Sequence, residues 1–190
     1  MELLKERIRM DGRVKEGNIL KVDSFLNHQI DISLLNEIGR EFKHLFDGKK
    51  ITKIVTIEAS GIAIACLTAQ YFNVPVVFAK KAVSKNIDGD VYTSTIKSYT
   101  HGNEYTAMLE KRFLTQNDQV LIIDDFLATG KAQLGLLDIS RQAGAIVAGI
   151  GIVIEKGFQG GGDKLRAAGY DLRSLAIIDS MENGTLCFRE

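Results

Sequence analysis

From Ile51 onward, short apolar runs alternate with amphipathic stretches, the pattern of parallel strands joined by crossover helices. Ile54 to Ile57, Val76 to Ala79, Val120 to Ile123 and Val147 to Ile154 are rich in β-branched residues, as strands covered on both faces are, and are read as the central sheet. Ile32 to Phe46 places Leu34, Leu35, Ile38, Phe42, Leu45 and Phe46 on one helical stripe, with Asp31 as its N-cap. Gly61 to Phe72 and Gly130 to Ala143 are predicted as further helices. Val91 to Glu110 reads differently. Two β-rich runs flank the turn-forming His101-Gly102-Asn103-Glu104, which predicts a hairpin protruding from the sheet. Late in the chain, Gly160-Gly161-Gly162 precedes a short helix, and strands near Leu172 to Ile178 and Thr185 to Phe188 flank an Asn-Gly turn signal in Glu182-Asn183-Gly184. The prediction is an α/β chain with a mainly parallel central sheet flanked by helices.

A chain of 190 residues suits one domain, residues 1–190. The glycine cluster lies too near the end to link two large domains, and no internal repeat is visible. Lys and Arg number 24, as do Asp and Glu, so no basic excess points to nucleic acid or an anionic membrane. The charged start MELLKERIRMDGRVKEG lacks a signal-peptide core, and no apolar run approaches the roughly 20 residues that span a bilayer; a cytoplasmic protein is expected. Cys66 and Cys187 show no CxxC spacing and are read as packing thiols. His28, His44 and His101 are too far apart to form a metal pattern, so no protein-built metal site is expected.

The stretch that carries chemistry is Val120 to Ala132, VLIIDDFLATGKA: a buried strand, two acids, and a small-residue turn opening a helix. Ligands of open α/β sheets bind at the carboxyl ends of strands. A helix N-terminus there offers N–H groups and a partial positive charge, so Ala128, Thr129, Gly130, Lys131 and Ala132 can wrap a phosphate, with the Thr129 hydroxyl as an extra donor. Asp124 and Asp125 would repel that phosphate, so they call for another partner, such as ribose hydroxyls or a magnesium-bound sugar. Alternatively, the two acids end a strand and cap a helix.

This segment resembles the phosphoribosyl-diphosphate signature of type I phosphoribosyltransferases. Lys131 and Ala132 depart from the commonest form, which has glycine and threonine there, so the resemblance carries over backbone rather than side-chain phosphate contacts at these positions. The likeness extends to Leu20 through Asp31, to Thr56 through Ala63, and to Gly149 through Lys156, which look like xanthine phosphoribosyltransferases of Gram-positive bacteria. It implies a type I phosphoribosyltransferase-like fold with a small N-terminal hood and a flexible β-hairpin loop, residues 1–31 and 160–190 contributing hood and edge. It also implies transfer of ribose 5-phosphate from magnesium-bound phosphoribosyl diphosphate to a purine, xanthine first, and a homodimer. The same signature fits hypoxanthine, guanine or adenine as acceptor, and a non-catalytic regulator that binds the sugar diphosphate.

Within that frame Glu58, Ala59 and Ser60, following a strand and opening a helix, become the diphosphate loop, although an ordinary strand-to-helix turn would look the same. Lys80 and Lys81 suit the leaving diphosphate or are solvated surface. The Val91 to Glu110 hairpin takes the place of a mobile cover over the sugar, with Lys97 and Tyr99 in reach of it. Lys156, after a long apolar strand at the same sheet end, suits an acidic purine such as xanthine. Resemblance adds Leu20 and Asn27 to the base, whereas residue type alone makes Leu20 core and Asn27 a helix cap. Phe158 either stacks on the purine or packs.

Overall fold

The β-branched runs form strands and the amphipathic stretches between them form helices. The computed structural model describes residues 1–82, 90–97, 104–182 and 185–190. Among these, helices are α1 (Glu2–Asp11), α2 (Ile32–Leu45), α3 (Gly61–Phe72), α4 (Lys131–Gln142) and α5 (Gly161–Ala167). Strands are β1 (Arg13–Lys15), β2 (Ile19–Lys21), β3 (Lys53–Ile57), β4 (Val76–Ala82), β5 (Val91–Lys97), β6 (Glu104–Glu110), β7 (Gln119–Leu127), β8 (Ile146–Lys156), β9 (Leu172–Glu182) and β10 (Thr185–Phe188). β1 and β2 form a ribbon, and the other strands form one sheet in the order β10-β9-β8-β7-β3-β4-β6-β5. Its middle, β9-β8-β7-β3-β4, is parallel, and the edge pairings are antiparallel.

Alternate residues of β7 enter opposite layers. Leu121 and Ile123 pack with Ile54, with Leu35, Ile38 and Phe42 of α2 and with Ile64 of α3, whereas Val120 and Ile122 pack with Val55, Ile57 and the α4 residues Leu136 and Ile139. Apolar layers on both faces account for the continuous apolar runs. Asp31 caps α2 as expected, its carboxylate accepting the Leu34 N–H at 3.0 Å, a contact worth about 1 kcal/mol. The N-terminal segment lies against the last strands: the Met1 amino group donates to the Leu175 carbonyl at 2.8 Å and Lys5 to that of Arg189 at 3.2 Å. None of the described helices is long and apolar enough to cross a membrane.

Three expectations need correction. The Val91–Glu110 hairpin continues the sheet instead of protruding from it, since Thr106, Ala107 and Met108 of β6 pair with Ala82, Lys81 and Lys80 of β4. Burial drives this, because Ile96, Ala107 and Leu109 join the α4 layer. The turn at His101, together with Tyr99, lies outside the described residues. Secondly, the strand over Val120 to Ile123 runs on to Leu127, so Asp124 and Asp125 are strand residues, and Asp124 pairs with Ile152 of β8. Thirdly, Cys66 and Cys187 are exposed and unbridged. Cys66 falls off the buried stripe of α3, and Cys187 is an outward position of edge strand β10.

Candidate active site

β3 and β7 are parallel neighbours, and each runs into a turn that opens a helix, α3 or α4. The two predicted anion-binding loops therefore stand side by side at the carboxyl ends of adjacent strands, where ligands of open α/β sheets bind. In the second loop Gly130 has φ +84°, a left-handed conformation that glycine adopts at no steric cost, and it is the N-cap of α4 without any side-chain cap. The first intrahelical bond there runs from the Leu134 N–H to the Gly130 carbonyl at 2.9 Å. The N-cap is thus Gly130 itself, and neither Asp124 nor Asp125 caps the helix. The helix-cap reading of the acid pair fails on this point.

Asp124 and Asp125 are buried at the end of β7. Asp124 accepts the Asp125 N–H on Oδ1 at 3.0 Å and the Gln133 side-chain amide on Oδ2 at 2.8 Å. Burial, reinforced by the neighbouring Asp125 charge, pushes the Asp124 carboxyl well above the ordinary carboxylate range, and Lys81 partly opposes this. Lys81 also lies over the Tyr105 ring, 5.2 Å from its centroid. Burial raises the Tyr105 hydroxyl, and the Asp124 charge adds to it. Tyr105 and Gln133 were not read from sequence. An uncharged polar residue in the first turn of a leucine-rich helix is the signal for Gln133, but nothing in the pattern marks its partner.

In the first loop the Glu58 carboxylate accepts the Lys81 N–H at 2.5 Å, and the Glu58 N–H donates to the Ala79 carbonyl at 3.0 Å, so the loop is tied to β4. The Glu58–Ala59 peptide is cis. Ala59 and Ser60 share a cavity of about 560 Å³ with Leu20, Val22, Asn27 and His28, which brings two predicted base residues to the loop predicted to bind diphosphate. Leu20 is buried in the core while lining this space; Asn27 is exposed in a π-helical turn, Asp23–Asn27, and the cap of α2 is Asp31. Lys156, at the end of β8, donates to the Asn18 carbonyl of the β1–β2 turn at 3.1 Å and lies 5.9 Å from the Phe126 ring centroid. Half-burial lowers its pKa. Phe158 is exposed in the turn Gly157–Gln159.

Lys80 and Lys81 part company. Lys81 faces Tyr105 and Asp124, whereas Lys80 points to the other side of β4 and lines an apolar groove of about 460 Å³ with Val76, Phe78, Met108 and Phe113. Strand alternation makes a shared target for adjacent side chains difficult.

Both the sequence and the fold have known relatives. The family model described as the phosphoribosyl transferase domain matches residues 22–182. Xanthine phosphoribosyltransferases of Lachnoclostridium phytofermentans and Ruminiclostridium cellulolyticum are 64% and 62% identical, covering 100% of this chain and 98% and 100% of their own lengths. That of Clostridioides difficile is 56% identical, with both chains covered at 100%. Among solved structures, the adenine phosphoribosyltransferase of Rhodothermus marinus superposes with a TM-score of 0.76 at 20% identity, covering 94% of this chain and 100% of that one. The Trypanosoma brucei adenine phosphoribosyltransferase in complex with AMP, pyrophosphate and ribose-5-phosphate gives 0.75 at 18% identity, covering 92% and 78%. These structural likenesses speak to fold, and the full-length identities speak to descent. The chain belongs to the phosphoribosyltransferase family, among the relatives of the bacterial xanthine phosphoribosyltransferases.

Proposed function

We propose that this chain is a purine-salvage enzyme that converts xanthine and 5-phospho-α-D-ribose 1-diphosphate to xanthosine 5′-monophosphate and diphosphate in the cytoplasm. The observation that carries the reading is the placement of the Asp124–Asp125 strand end and the left-handed Gly130 turn beside the Glu58–Ser60 loop. The turn at Ala128–Ala132 takes the 5-phosphate on main-chain N–H groups, with Thr129 as a further donor. Asp124 and Asp125 accept from the ribose hydroxyls. Glu58, Ala59 and Ser60 present their backbone to the diphosphate, and Lys81 reaches it from β4.

Phosphoribosyltransferases generally use magnesium with phosphoribosyl diphosphate. Among the described residues no group of three or more His, Cys, Asp or Glu side chains is disposed to hold an ion. The fit is instead to an ion arriving on the sugar diphosphate, with the hard oxygens of Asp124 and Asp125 nearby. When bound it neutralises charge on the diphosphate. Purine N9 attacks C1′ as the C1′–O bond to diphosphate breaks, with inversion and without a covalent intermediate. The protein contributes by holding sugar and base in line, stabilising the leaving group and excluding water.

Lys156 is assigned to the base, with Leu20 and Asn27 from the N-terminal segment. Xanthine rather than another purine rests on the full-length identities and on a half-buried cation placed for an acidic base. Product chromatography after incubation with phosphoribosyl diphosphate, magnesium and each of xanthine, hypoxanthine, guanine and adenine tests it. Predominant xanthosine monophosphate is expected. Preference for another base would remove the Lys156 argument, and tight sugar-diphosphate binding without any product would favour a regulator.

The groove beside Phe78 and Phe113, both exposed, supports assembly with a second copy, since exposed apolar grooves mark interaction sites. Light scattering should give the mass of a dimer.

A further inference from the structure

The glycine cluster 160–162 has no part in the scheme above, yet it lies directly behind the phosphate turn. The Gly161 N–H donates to the Ala128 carbonyl at 3.2 Å. A methyl group on Gly161 would stand 2.3 Å from Ala128 O, 2.5 Å from Thr129 C and 2.6 Å from Gly130 N, all of them main-chain atoms. From the other direction, a Cβ on Gly130 would meet both Gly161 O and Leu165 Cδ1 at 3.6 Å. Three consecutive residues of the turn are therefore backed by α5 at a distance that only glycine at position 161 permits.

α5 is in turn fixed to the sheet. Glu155 of β8, fully buried, accepts from both Arg166 terminal nitrogens, at 3.0 and 2.6 Å, and from the Ser174 hydroxyl of β9 at 2.5 Å. A charge buried in this way holds its place only while its partners do. The phosphate turn is thus anchored twice, along the chain by β7 and α4, and from behind by β8 and β9 through α5.

We propose that Gly161, seated by the Glu155–Arg166–Ser174 clamp, is a positioning residue that sets the curvature of the Ala128–Gly130 main chain so that its N–H groups converge on the 5-phosphate. This rests on the reading that the turn holds that phosphate. The backbone of α5 acts as a template, so adding an atom at position 161 displaces the donors without removing any of them.

The experiment has two parts. In the wild-type protein, ribose 5-phosphate is titrated while the amide NMR signals of residues 129–132 are followed; shifts there uphold the phosphate reading, and their absence removes both it and the proposal. In Gly161→Ala, initial rates are expected to show the KM for phosphoribosyl diphosphate and the inhibition constant of ribose 5-phosphate raised on the order of tenfold, as small misplacements of binding groups do. The KM for xanthine should stay within about twofold. A lowered melting temperature with both KM values unchanged would mean that the glycine serves folding alone, and the proposal is then wrong even if the NMR shifts are present. Should Gly161→Ala fail to fold, Leu165→Ala removes the side chain that stands behind Gly130 without adding an atom. The same rise confined to the sugar ligands is expected from it, and unchanged sugar constants would overturn the proposal.

Discussion

Gln133, in the first turn of α4, donates from Nε2 to Oδ2 of Asp124 at 2.8 Å, and the same nitrogen reaches the Phe126 carbonyl at 3.2 Å. Both side chains are buried, so α4 and the acid end of β7 are fixed to each other. Gln133→Leu leaves a buried carboxyl oxygen and a carbonyl without this donor. A loss of about 1–3 kcal/mol in stability follows, measurable by denaturant unfolding. In the proposed scheme the KM for phosphoribosyl diphosphate rises while that for xanthine does not.

The raised pKa of Asp124 makes this residue costly to the fold at neutral pH. A carboxyl whose folded pKa exceeds its unfolded value of about 3.9 binds more protons in the folded state between the two values, so stability falls as pH rises through that window. Asp124→Asn removes the cost. The variant should melt higher than wild type at pH 8, and the difference should shrink as pH falls toward 4. Transfer should be nearly abolished, by about 100-fold or more, if the carboxylate meets the ribose. A variant less stable at pH 8 would show that the ionised form is better accommodated than its burial implies.

The fold was legible where periodicity carries it. β3, the stripe of α2 and the whole of α3 follow from spacing alone, because both sheet faces are covered and the helices are amphipathic. The run from a strand through the acid pair to the Gly130 turn and α4 was legible as an arrangement, because two adjacent like charges ahead of a helix start need an explanation. Less was legible where distant segments meet. Gln133 beside Asp124, Tyr105 beneath Lys81, and Asn18 against Lys156 are contacts of tertiary packing, which no local pattern encodes. The length of β7 was misjudged because carboxylates read as strand breakers; here the hydrogen-bond donors around Asp124 let the strand continue through it.

Lys156 joins the N-terminal segment to the sheet through Asn18, 3.1 Å from Nζ. Burial lowers its pKa, so its charge has lost part of its hydration and interacts more strongly with a bound anion. Lys156→Met keeps much of the apolar stem and removes the charge. Loss of one hydrogen bond to a charged group, about 1.5–3 kcal/mol, corresponds to roughly a 10- to 100-fold rise in the KM for xanthine. Initial-rate kinetics with each substrate varied should show the KM for phosphoribosyl diphosphate changed little. Equal loss on both substrates would take Lys156 away from the base.

Adjacent lysines on opposite faces of β4 should behave differently in the same assay. Lys81 lies over Tyr105 and offsets the pKa rise of Asp124, while Lys80 lines the Phe78–Phe113 groove. A cation near the departing diphosphate stabilises charge that grows in the transition state, so its removal lowers kcat as well as kcat/KM. Lys81→Ala should therefore cost about ten times more in kcat/KM for phosphoribosyl diphosphate than Lys80→Ala. Lys80→Ala should act chiefly on self-association, read by light scattering across a dilution series. Both lysines are exposed, so raising salt should weaken the contribution of either. If Lys80→Ala proves the more damaging variant in an assembled protein, the groove face and not the Tyr105 face of β4 meets the diphosphate.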